Sequence, residues 1–224
     1  LTVFEIMTAK TYDERLNFDL SEKYRDLKIE LDQIGYNSIS SSTILQCVSL
    51  NMISDARSKS ILNLDKYKFI DTWDETAVSV KKAIDYFRTQ LRIPVSRLLP
   101  FPALLAPISY FFFNHPDDAD TTQVKYIDEY FWRSSLSHRC SSASETKLGQ
   151  HVKRIDKILK NKRPEYDFTV ALDKNEIKYG WFSTGDSFCK AILCLLAYFQ
   201  PKAFNNNRIV ILDNSWLAKS YSRN

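Results

Sequence analysis

The sequence predicts a mainly α protein, a multi-helix bundle with a small β ribbon near the C-terminus. Three observations predict it. Glycine is scarce, four in 224 residues, whereas hairpin turns and dinucleotide-binding crossovers consume glycine. Apolar residues recur at three-and-four spacing through most of the chain up to Leu159, the period of a helix with one buried face. Beyond that point the pattern changes to short alternating runs, the period of a strand.

The elements follow in order. Thr2 is placed to cap a short opening helix that carries Ile6, Ala9 and Lys10. Asp19 starts a second helix, with Glu22 placed to close a capping box. Leu20, Tyr24, Leu27, Leu31 and Ile34 form its apolar face, and Gly35 ends it. Ser41 or Ser42 opens a third helix through Ile44, Leu45, Val48 and Met52. Thr72 and Glu75 make a further capping box, followed by Ala77, Val80, Ile84, Phe87 and Leu91 at helical spacing, with Pro94 as the stop. Residues 104–113 read as a buried helix with a proline in or near its first turn, and 114–118 as a loop. Asp120 and Gln123 open the next helix, through Val124, Ile127 and Phe131. Ser142 and Glu145 form the S-x-x-E box of a helix whose core face is Leu148, Val152, Ile155 and Leu159, ended by Pro164. Phe168, Val170 and Leu172 alternate, as do Ile177, Tyr179 and Trp181, and 209–212 is a third short strand candidate. Between them, residues 186–199 form a strongly apolar helix stopped by Pro201.

A chain of 224 residues makes one large domain or two small ones and can bury about 70% of its unfolded surface. Cys47, Cys140, Cys189 and Cys194 contain no C-x-x-C pair and read as reduced thiols of a cytoplasmic protein. The apolar stretches 101–113 and 188–199 fall short of the roughly 20 residues that span a bilayer. Because the chain opens at Leu1 inside a helical pattern, a fragment of a larger protein is expected.

The chemically richest stretch is "FWRSSLSHRCSSASETKL", from Phe131 to Leu148. One reading is a helix junction, with Ser142 capping the second helix. A second adds an anion at that helix start, where Ser141 and Ser142 offer hydroxyls and Arg133, His138, Arg139 and Lys147 offer positive charge. A Ser/His/acid hydrolase is disfavoured, since nothing supplies a third orienting group and no G-x-S-x-G turn occurs. Between Arg133 and Arg163 stand nine basic residues and two acidic ones, an excess larger than the whole chain's +4. Lys153, Lys157 and Lys160 point away from the apolar face, with Arg154 beside them. They form either a solvated helix surface or a face that neutralises a nucleic-acid backbone.

"GWFSTGDS" mimics a phosphate-binding loop, but Asp186 stands where the phosphate-reaching lysine is needed, so Asp186 and Thr184 read as helix caps. His115, His138 and His151 are scattered, and no metal site is expected. Phe111, Phe112, Phe113, Phe131 and Trp132 read as core residues rather than platforms for bases.

"LTVFEIMTAKTYDERLNFDL", "EYFWRSSLSHRCSSASETKL" and "NSWLAKSYSRN" together resemble the prokaryotic GmrSD-type proteins, known by a ParB-like N-terminal domain of unknown function. The resemblance covers most of the chain and implies a role in DNA restriction and phage defence. In that family a segment like residues 1–10 closes the ParB-like domain. The F-W-x-x-x-L-S-x-R-x-S-S run recurs in the helical region beyond, with an aromatic residue usual where Cys140 stands. The family's Asp-Gly-Gln-Gln-Arg motif, linked to nucleotide hydrolysis, does not occur here, and three scattered histidines build no His-Asn-His nuclease.

The resemblance therefore implies a helical middle segment. Residues 1–35 would end the ParB-like domain and its connecting helices, and 36–224 would form a helical domain with short strands in 168–212. The expected role is DNA-facing or domain-coupling, with DNA and the neighbouring ParB-like and nuclease domains as partners and with no cofactor, membrane contact or catalytic centre. Two alternatives stand beside it: a structural scaffold without a nucleic-acid ligand, and a stand-alone enzyme using Arg139 and His138.

Overall fold

Leu105–Asn114 is apolar on nearly every side, and a helix of that kind has no face to give to water. In the computed structural model, which describes residues 1–137, 145–181, 183 and 185–214, this helix is the centre of the bundle. Leu105, Ala106, Ile108 and Phe111 are wholly buried. Numbered in chain order, the helices are α1 (Val3–Thr11), α2 (Leu20–Gln33), α3 (Ser41–Ile53), α4 (Ser58–Leu62), α5 (Lys66–Thr89), α6 (Leu105–Asn114), α7 (Thr121–Leu136), α8 (Glu145–Leu159), α9 (Lys174–Tyr179) and α10 (Ser187–Tyr198). Short 3-10 turns at Ser96–Leu98 and Pro102–Leu104 lead into α6.

Helices α3, α5 and α8 pack on α6, and α7 and α10 pack on each other. Ser79 and Ser109 share a hydrogen bond of 2.9 Å where α5 meets α6. The buried cluster runs without a break from Met7 and Leu20 in the first helices through Ile44, Phe87 and Phe111 to Ile155 and Cys194.

Caps set most helix starts. Thr2 and Glu5 form a reciprocal box on α1, as do Asp120 and Gln123 on α7. Asp19, Ser40 and Asp186 accept backbone N–H groups at the starts of α2, α3 and α10. Gly35 ends α2 at φ +80°, and there the Tyr36 N–H reaches Leu31 O at 2.8 Å. A methyl group added to Gly35 would stand 3.0 Å from Val95 Cγ1, so both the conformation and the close approach require glycine.

Two expectations are corrected. The Thr72–Glu75 box does not start a helix. Helix α5 runs unbroken for 24 residues from its cap Asp65, and Thr72 Oγ1 donates back to the Lys68 carbonyl at 2.7 Å. The β ribbon is absent from the described residues. Ile177 and Tyr179 lie in α9, whose start Asp173 turns by accepting the Asn175 N–H at 2.8 Å. Residues 168–172 are irregular, and Ile209 forms only an isolated bridge with Lys202. Alternation describes a strand only when a partner strand satisfies its backbone, and among the described residues none lies alongside.

No helix among the described residues is long and apolar enough to cross a membrane.

Candidate nucleic-acid interface

Helix α8 is strongly two-sided. Leu148, Val152, Ile155 and Ile158 are buried, while Lys153 and Lys160 are exposed. Leu159, expected in the core, is only partly buried, because Ile158 takes the inward position one residue earlier.

Of the seven described basic side chains between Arg133 and Arg163, four are matched by carboxylates inside the chain. Residues 163–168 fold back beside α7 and α8 and bring two carboxylates and two rings with them. Lys157 Nζ meets Glu165 at 2.7 Å, and Arg154 meets Asp167 at 2.8 Å. The Arg154 guanidinium also lies 5.6 Å from the Tyr166 ring centre and 5.5 Å from that of Phe168. Its side chain is only 11% exposed, so it is packed as well as paired.

Glu129 on α7 sits between two guanidinium groups. Arg163 reaches it at 2.7 Å and Arg133, one turn along α7, at 2.8 Å. Arg163, with Arg133 beside it, holds the Glu129 carboxyl below the usual range, and Glu129 in turn raises Arg163. Lys157 likewise lowers Glu165. Arg133 lies 4.8 Å from the Tyr166 ring centre. Burial pushes the Tyr166 phenol up, with the Glu129 charge adding to it.

Of the residues singled out from sequence, Arg133, Arg154 and Lys157 are thus brought to one carboxylate-lined patch. Lys153 and Lys160 stand outside it and form no ion pair among the described residues. His138, Arg139, Ser141, Ser142 and Cys140 lie outside the described residues, as do the side chains of Lys147 and Glu145. The expected Ser142 cap and the His138–Arg139 enzyme centre fall there too.

His151 is the residue that sequence reading left unassigned. It is buried, and its Nδ1 lies 2.7 Å from the Tyr130 hydroxyl, joining α8 to α7. The signal was present: His151 stands three residues after Leu148 and four before Ile155, on the apolar face. Asp186 caps α10 by accepting the Cys189 N–H at 2.9 Å, as its position in the GWFSTGDS stretch implies. Burial pushes the thiols of Cys47 and Cys194 up to about 12, so both stay protonated, and the Cys194 thiol donates to Leu98 O at 3.1 Å. Among the described residues no three His, Cys, Asp or Glu side chains gather as a metal site would need.

Compared with protein-family models, with curated proteins and with solved structures, the chain matches none.

Proposed function

We propose that this chain is the domain-coupling helical segment of a GmrSD-like DNA restriction and defence protein, with no catalytic centre of its own. The reading rests on one observation. Apart from the terminal Leu1, the most exposed large apolar side chains among the described residues are Phe204 at 111%, Trp181 at 81%, Tyr179 at 73% and Phe199 at 72%. All four fall within one short stretch around α10, beside a body whose other aromatic rings are mostly packed. Apolar surface left in water costs about 25 cal/mol per Å², and four exposed rings so close in sequence support a contact with another protein surface. The pairing of Arg133, Arg154 and Lys157 with carboxylates supports this coupling role over a DNA-facing one, for which Lys153, Lys160 and Lys162 are the exposed lysines without an ion pair among the described residues of 133–163. The partner follows from the sequence resemblance, which implies a ParB-like domain and a nuclease domain on either side.

The test supplies a ParB-like domain and a His-Asn-His nuclease domain of such a protein as separate polypeptides and measures their binding to the chain. At least one should bind. Trp181→Ser combined with Phe199→Ser and Phe204→Ser should weaken that binding about ten-fold with helical circular dichroism unchanged. Undiminished binding by the triple variant, or no binding by the parent chain, would overturn the reading.

A further inference from the structure

A second surface lies where α5, α6 and the loop at 115–119 leave a groove. It consists of two hollows of about 410 and about 340 Å³ that share Lys82 and Phe112. Val78, Phe112, Phe113 and Pro116 give the larger one an apolar floor. Tyr86, Ala119 and Val124 continue it into the smaller. Val78 is half exposed although it sits on the floor of a hollow, so an apolar position there is uncovered.

The rim has the opposite sign to the chain. Asp74 and Glu75 line one end, and Asp85, Asp117 and Asp118 the other. Lys82 is the one cation among these lining residues, and its ammonium is tied to the Pro116 carbonyl. The whole protein carries a net charge of +4, so this local acidity runs against the composition. The rim carboxylates are weakly held. Asp74 meets Lys23 at 3.5 Å with its side chain 83% exposed, and Asp85 meets Arg88 at 3.5 Å with 65% exposed. Glu75, Asp117 and Asp118 are exposed and form no ion pair among the described residues. Such carboxylates can turn to a new cation at little cost.

We infer that this groove docks a basic peptide segment of a partner protein, with one or two apolar side chains seated on the Val78–Phe113–Pro116 floor and flanking Lys or Arg residues meeting the acidic rim. An anionic ligand is repelled by the five carboxylates. A metal ion is not served by them, since no three acidic, His or Cys side chains converge among the described residues. The volumes suit side chains in a cleft rather than a flat contact, and steering by the rim makes the association dependent on salt. This inference uses none of the residues on which the domain-coupling role rests.

The experiment screens the full chain against an array of short peptides that alternate Lys or Arg with Leu, Ile, Met, Phe or Trp. One matched array carries Glu in place of the cations, and a second carries Ser in place of the apolar residues. Peptides of the first array should bind, both matched arrays should bind about ten-fold more weakly or not at all, and binding should fall as salt rises. Val78→Asp should weaken the best binders about ten-fold, and so should Asp117→Lys combined with Asp118→Lys, a surface pair that leaves the core untouched. Failure of the whole first array, equal binding by the Glu array, or unchanged binding by both variants would each overturn the inference.

Discussion

Tyr130 has no exposed surface, yet its phenol oxygen is polar and must find a partner or carry a desolvation cost. His151 supplies one from the next helix at 2.7 Å, and the two rings meet edge-on at 81°. A hydroxyl and an imidazole placed this way tie α7 to α8 alongside the apolar packing of the two helices. Tyr130→Phe keeps the ring and removes the hydroxyl, leaving one side of a buried imidazole without its phenol. The substitution should lower stability by about 1–2 kcal/mol, read as a shift of the urea midpoint with unchanged slope. An unchanged midpoint would mean that the bond adds nothing to the fold.

Between elements, the start of α5 separates a sequence pattern from its physical content. Thr72-x-x-Glu75 has the letters of a capping box, but Thr72 Oγ1 bonds back to Lys68 O inside a continuing helix. The true cap, Asp65, accepts the Lys68 N–H at 3.0 Å, and the first turns are fixed by Phe69 and Trp73 packing on Phe18. Asp65→Ala should therefore cost about 1 kcal/mol, while Thr72→Ala should stay within about 0.5 kcal/mol, both measured by thermal or urea unfolding. Equal losses at the two positions would restore the shorter helix. Caps at Thr2, Asp19, Asp120 and Asp186 were legible in the sequence because each is a local event, complete within a few residues. The buried α6 was legible because its composition leaves no polar face.

The candidate site was less legible, for a physical reason. The helical wheel of α8 placed Lys153 and Lys160 correctly, but the partners of Lys157, Arg154 and Arg163 lie 8, 13 and 34 residues away in the chain. Charge counted along a window cannot see a carboxylate that the fold brings back. The same blindness produced the β ribbon: of the alternating Phe168, Val170 and Leu172, Phe168 is set against the Arg154 guanidinium and Leu172 is exposed, with no sheet among the described residues.

Across the whole molecule, the Arg163–Glu129–Arg133 cluster ties the segment after α8 to α7 and sets part of the acid response. Glu129 titrates below the ordinary glutamate value of about 4.3. Its contribution is therefore complete above that value and is lost as pH falls through the lower, folded one. Asp128 next to it is raised, first by burial, so its ionisation opposes folding and acidification relieves it. Glu129→Gln should cost about 1 kcal/mol at neutral pH, a modest figure because Arg163 is well exposed. The gap between parent and variant should narrow as urea unfolding is repeated from pH 6 down to about pH 3. A gap that stays constant with pH would show that packing, not charge, is what the carboxylate supplies.

The turn at Gly35 has a temporal consequence. Its neighbours bond to chain made much later: Tyr36 OH to Ile93 O across 57 residues, and Ser38 to Ser96 across 58. A ribosome adding about 5–20 residues per second leaves these groups waiting roughly 3–12 seconds before their partners are even synthesised. During that interval the Tyr36 hydroxyl and Ser38 lack these partners, although α1 can already meet α2 and α3, so the turn at Gly35 closes onto its final contacts only after α5 and the turn beyond it have been made.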